Sequence, residues 1–123
     1  IADLTGANLP DNLILDGFSL NNTLKEKAKS PRNHFFYYRK DEIYATRLGD
    51  YKAHFISEDC YQVDNNRTDH ETPLLFHLNH DPGEQFDLAD ESPEIIQKIR
   101  GITDSHTSKM VKKPSELDKW PKK

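Results

Sequence analysis

Residues 43–57, IYATRLGDYKAHFIS, constrain the fold more than any other stretch, because two runs of strand-forming residues flank the dipeptide Gly49-Asp50. Such a dipeptide suits a two-residue hairpin turn, where positive backbone angles are needed. Side chains alternate across a strand, so Tyr51, Ala53 and Phe55 face one way while Lys52, His54 and Ile56 face the other. One face is apolar and the other mixed, the pattern of a sheet with a single covered side.

Further elements extend this hairpin. HFFYYRK from His34 is dense in aromatics and reads as a strand before it, and PLLFHL from Pro73 as a fourth strand after it. Between them SEDCYQVDNNRTDHET, residues 57–72, reads as a polar loop, longer than a small domain usually carries. Ser92-Pro93-Glu94 marks a helix start, with a capping hydroxyl, proline at the first helical position and an acid at the positive end of the dipole. From there Ile95, Ile99, Ile102, His106 and Met110 form a stripe able to lie across a sheet, with Pro114 as the stop. The expected fold is α+β, a four-stranded antiparallel sheet packed by one C-terminal helix.

Residues 7–33 lack sustained periodicity. IADLTGANLP reads as a helix's last turn with Gly6 as its C-terminal cap, and LNNTLKEKA as one further turn in a connecting strap. So short a first helix cannot stand alone, which suggests a piece of a longer polypeptide. The expected organisation is the end of a helix and a connecting strap over 1–33, a sheet and helix over 34–113, and a charged tail over 114–123.

Composition narrows the function classes. The hydrophobic fraction is 34%, but it is gathered into runs, which argues for a folded core with a wide polar perimeter. A net charge of -4, with basic residues clustered only near the end, offers no cationic face for nucleic acid. No apolar run approaches the roughly 20 residues that span a bilayer, so no membrane partner is expected.

Several groupings bear on chemistry. The turn Asp81-Pro82-Gly83-Glu84 lacks the alternating oxygen ligands of a calcium loop and reads as a tight turn, with Pro82 presetting one backbone angle and Gly83 supplying another. His77 and His80, on a strand and its exit, are expected on opposite faces, and no paired cysteines or His-Glu-x-x-His motif supports zinc. Lys52 and His54 share a face and could form a charge-tuned pair, although such residues are more often a snorkelling lysine and a hydrogen-bonded histidine. Neither Cys60 nor Ser30 has the surroundings of a nucleophile. Asn21-Asn22-Thr23 and Asn66-Arg67-Thr68 match the N-glycosylation acceptor pattern.

The succession LPDNLILDGFSL, Ser30-Pro31-Arg32 before an aromatic strand, RLGDYKAHFIS, TPLLFHLNHDPGEQFDLA and a Ser-Pro-Glu helix resembles the C-terminal region of the type I sulfatases, in the branch of arylsulfatase A and N-acetylgalactosamine-6-sulfatase. The likeness runs to about residue 112. It implies the smaller C-terminal subdomain of an alkaline-phosphatase-like fold, whose N-terminal catalytic domain holds a formylglycine, made from Cys or Ser in a Cys/Ser-x-Pro-x-Arg motif, beside a calcium ion. That motif is missing here: Ser30-Pro31-Arg32 lacks the spacer, and Cys60 is followed by Tyr-Gln-Val.

The resemblance therefore implies a fragment of a sulfuric ester hydrolase acting on aryl sulfates or sulfated glycans, inactive alone, without metal ligands or catalytic residues of its own. Its partner would be the N-terminal catalytic domain, and the protein would be exported. Gln62 and His70, after the YKAHF strand, become substrate-facing candidates, and Cys60 a candidate for a disulfide to that domain. Two other readings compete: a stand-alone carbohydrate- or protein-binding β module using HFFYYRK, and a non-catalytic sulfatase homologue.

Overall fold

The structure is a computed structural model and describes residues 1–12, 15, 17–59 and 66–112. The chain divides into two compact units, Ile1–His34 and Phe35–Lys123.

The first unit contains two short helices, α1 (Ala2–Thr5) and α2 (Asn21–Glu26). Gly6 closes α1 in the left-handed conformation at φ 70°, as its position in the sequence predicts. Neither helix buries a residue, so local bonds hold the unit: Ser19 donates to the Asp3 carboxylate, and the Arg32 guanidinium lies 5.0 Å from the Phe18 ring centre.

The second unit carries the core. Strands β1 (His34–Arg39), β2 (Glu42–Leu48), β3 (Tyr51–Ser57) and β4 (Thr68–His77) form one sheet in the order β1-β2-β3-β4, and α3 (Pro93–Thr107) follows. β2, β3 and β4 pair antiparallel, with Leu48 opposite Tyr51 across the Gly49-Asp50 turn and Gly49 at φ 58°. The expected α+β architecture of four antiparallel strands and one helix is thus the one found.

Ala53, Leu75, Ile96 and Ile99 form the buried cluster, with Leu48, Tyr51 and Phe55 packed against it, so the apolar face of the hairpin is the one α3 covers. Thr46 and Thr103 meet on this face through a buried hydroxyl bond of 2.9 Å, and Thr103 also donates to the Ile99 carbonyl. Both hydroxyls are thereby satisfied where water cannot reach.

Three local expectations are corrected. Ser92 occupies the N-cap position of α3, but its side chain makes no capping bond, while its carbonyl accepts from the amides of Ile95 and Ile96. The helix ends at Thr107 rather than running on to Pro114: Thr103 and Thr107 hydroxyls bond back to carbonyls one turn earlier, and Met110 lies in a turn beyond the end. The buried stripe accordingly consists of Ile96, Ile99 and Thr103, with Ile95 and Ile102 at its margins.

The third correction lengthens β4, because residues 68–72 join the sheet instead of belonging to a loop. Ser57 pairs with Thr68 and Ile56 with Asp69, whereas His54 pairs with Leu74, so four residues of β4 stand opposite the single residue Phe55. Pro73 lies in this irregularity, fully buried, where its missing amide costs no ladder bond. The far edge of β4 is tied down as well: Leu75 donates its amide to the Asp87 carboxylate and accepts from the Leu88 amide.

Candidate functional site

The uncovered face of the hairpin gathers the charged chemistry. Lys52 and His54 project from alternate positions of β3, and Glu84, in the turn after β4, reaches both: Lys52 Nζ donates to Oε1 at 2.7 Å and His54 Nε2 lies 2.8 Å from Oε2. All three side chains are largely withdrawn from solvent. Glu84 pays for this reach with a left-handed backbone, φ 53°, unusual for a non-glycine residue. The positive angle of this turn thus falls on Glu84 and not on Gly83. Asp81 fixes the turn from the other side, accepting from the amides of Gln85 and Phe86.

Electrostatics settle the protonation states. Burial would push the Glu84 carboxyl up, but the hydrogen bond and charge of Lys52, helped by His54, hold it below its ordinary value, so it is ionised at neutral pH. Burial first, then the Lys52 ammonium, depress the His54 imidazole, against the opposing pull of Glu84. The ring is neutral at pH 7 and carries its proton on Nε2, donated to Glu84. One full ion pair and one hydrogen bond from a neutral ring thus share a carboxylate, and the net charge of the cluster is zero.

Around the cluster the sheet forms a shallow depression of about 310 Å³. Lys52 Nζ sits 4.7 Å from the Tyr37 ring centre, a cation–π contact. On the far wall Tyr44 donates to Glu58 at 2.6 Å, which raises the phenol's pKa, and Arg39 pairs with the same carboxylate. Tyrosine faces, hydroxyls and a compensated charge cluster suit the binding of a polar ligand or the seating of another protein surface.

The candidate residues separate. His70 lies on β4, half-buried, with Nε2 2.8 Å from the Ser57 hydroxyl. This is nucleophile-to-base spacing, yet no acid bonds the far side of His70 among the described residues. Gln62 and Cys60 lie outside the described residues. His77 and His80, expected on opposite faces, instead stack ring on ring at 4.1 Å, because the chain turns back immediately after β4. Parallel stacked rings cannot both aim a nitrogen at one ion. Among the described residues no group of three or more His, Cys, Asp or Glu side chains could hold a metal.

Glu84 is the site residue that sequence reasoning missed. Lys52 and His54 are recognisable as a pair from their spacing, but their acid lies 30 residues or more away, in a turn that explains itself locally. Only the fold brings it across.

Comparison with known proteins places these features in a family. The model of the C-terminal region of aryl-sulfatase matches residues 30–123. Arylsulfatase A of Bos taurus is 40% identical over 83% of this chain and 24% of its own length. Human N-acetylgalactosamine-6-sulfatase is 31% identical over 94% of this chain and 26% of its own. A solved structure from work on glycosaminoglycan metabolism by Bacteroides thetaiotaomicron superposes with a TM-score of 0.69 at 22% identity, over 88% of this chain and 23% of that one, a likeness of fold. The chain belongs to the sulfatases, as the C-terminal region of an aryl-sulfatase. It spans about a quarter of the length of these relatives. Among the described residues no helix is long and apolar enough to cross a membrane.

Proposed function

We propose that the parent protein is a sulfuric ester hydrolase acting on aryl sulfates or sulfated glycans, and that this region supports the catalytic domain and borders its substrate cleft. The match of residues 30–123 to the C-terminal region of aryl-sulfatase carries the reading. Formylglycine and calcium belong to the N-terminal domain in this proposal: the sequence has no Cys/Ser-x-Pro-x-Arg motif, and the described residues offer no calcium cage. The parent is exported, Gln62 and His70 face the substrate, and Cys60 bridges to the catalytic domain.

The division of labour follows from the chemistry at hand. Lys52, His54 and Glu84 satisfy one another, so their role is to hold the turn at Glu84 against β3 and keep the sheet face rigid. Hydrolysis of a chromogenic aryl sulfate by the protein made from its complete coding sequence tests the reading, with residues 1–123 alone showing no turnover. Activity in residues 1–123 alone, or none in the complete protein toward either substrate class, overturns it. A free thiol at Cys60 in the complete protein removes the disulfide.

A further inference from the structure

We propose that Asn66 is a site of N-linked glycosylation and that Asn21, the other match to the acceptor pattern, is not. Both carry threonine two residues on and a non-proline residue between, as the modification requires. The fold treats them differently.

Asn66, Arg67 and Thr68 form the entry to β4, and all three are exposed. The central residue is anchored: Arg67 donates through Nη1 and Nη2 to Glu42 and through Nε and Nη2 to Asp69. Arg67 is thereby drawn toward β2, and Thr68 after it opens the strand. Asn66 is exposed beside this fixed base, and a bulky hydrophilic glycan suits such a surface position. Asn21, by contrast, is half-buried in the first turn of α2, its amide oxygen shut off from solvent without a hydrogen-bond partner. A glycan on that side chain requires it to leave this half-buried place.

The donor is a lipid-pyrophosphate-linked oligosaccharide of the eukaryotic secretory pathway. Asn66 Nδ2 forms a bond to the anomeric carbon while that carbon's bond to the pyrophosphate oxygen breaks. The pyrophosphate leaves with the bonding electron pair, and Nδ2 gives up one of its two protons to a base of the transferase. Nothing is oxidised or reduced.

The test uses the protein made from its complete coding sequence, behind a cleavable secretory leader, in a eukaryotic host. Peptide-N-glycosidase converts a glycosylated asparagine to aspartate, which peptide mass spectrometry reads directly. We expect Asn66 to be converted and Asn21 to be unchanged in the secreted protein. Asn66→Gln removes one glycan's worth of gel mobility, Thr68→Ala does the same, Thr68→Ser retains the glycan, and Asn21→Gln leaves mobility unaltered. An unconverted Asn66 overturns the proposal, as does a glycan on Asn21 in secreted protein. The inference rests on the proposed export of the parent, but sulfatase activity is not read, so its failure is distinguishable from failure of the hydrolase reading.

Discussion

Under α3, Ala53, Leu75, Ile96 and Ile99 meet with almost no surface left to water, while on the opposite face of the same strands Lys52, His54 and Glu84 meet through two hydrogen bonds and an ion pair. The backbone of β3 is common to both faces. What differs is the physics: the helix face rests on apolar burial, which is indifferent to protonation, and the other face on one carboxylate that must remain charged. A sheet built this way has one side whose stability is set by packing and another whose stability is set by pH.

The comparison breaks most visibly at Ile99, which is fully buried. Ile99→Ala is expected to cost about 2–5 kcal/mol in urea unfolding, with the same loss at acid and neutral pH. A loss below 1 kcal/mol would show that α3 is not what the sheet depends on. On the other face, Glu84→Gln is expected to cost about 1–3 kcal/mol at pH 7.

That second loss varies with acidity. Glu84 is held below its ordinary value of 4.5, so its contribution is complete above that value and disappears as pH falls through the lower folded value. The wild type and Glu84→Gln therefore converge in acid, and a constant gap down to pH 3 would remove the charge from the account. His54, whose folded value lies below 6.5, favours the native state above 6.5 and opposes it as the unfolded chain takes up protons first on acidification. NMR titration of its ring, with a midpoint below 6.5, checks this; a midpoint above 6.5 contradicts the neutral-ring assignment.

Two smaller changes sharpen the helix face. Thr46→Val removes one partner of the buried hydroxyl pair and is expected to cost about 1 kcal/mol, whereas Thr46→Val with Thr103→Val costs less than the sum of the separate changes. Gly101→Ala is expected to stabilise α3 by roughly 0.5–1 kcal/mol, since Gly101 is helical, exposed and has open space where a Cβ would sit. Equilibrium unfolding measures both, and a destabilising Gly101→Ala would reveal a contact on the outer side of the helix.

The helix face was readable from the sequence because its signals are local and periodic. Tyr51, Ala53 and Phe55 alternate, Gly49-Asp50 turns the chain, and Pro93 starts α3. Other features resisted for physical reasons. A second turn lies between β1 and β2 at Lys40, which adopts φ 57° with no glycine to announce it. Residues 68–72 are polar, and only Thr68 and Asp69 among them pair with β3, so no apolar alternation marks them as strand. The Lys52–Glu84–His54 cluster is non-local, and its acid sits in a turn whose Asp, Pro and Gly already account for themselves.

The irregularity around Pro73 has a consequence for how such a chain can vary. Because His54 opposite Leu74 and Ile56 opposite Asp69 are not in one continuous register, the strand is in effect two rulers joined by a slip joint. A change of length between Asp69 and Leu74 can be absorbed at that joint, leaving Leu75 under α3. The joint itself can thereby vary without disturbing the interior, a mechanical licence for divergence placed beside the most constrained residue of the strand.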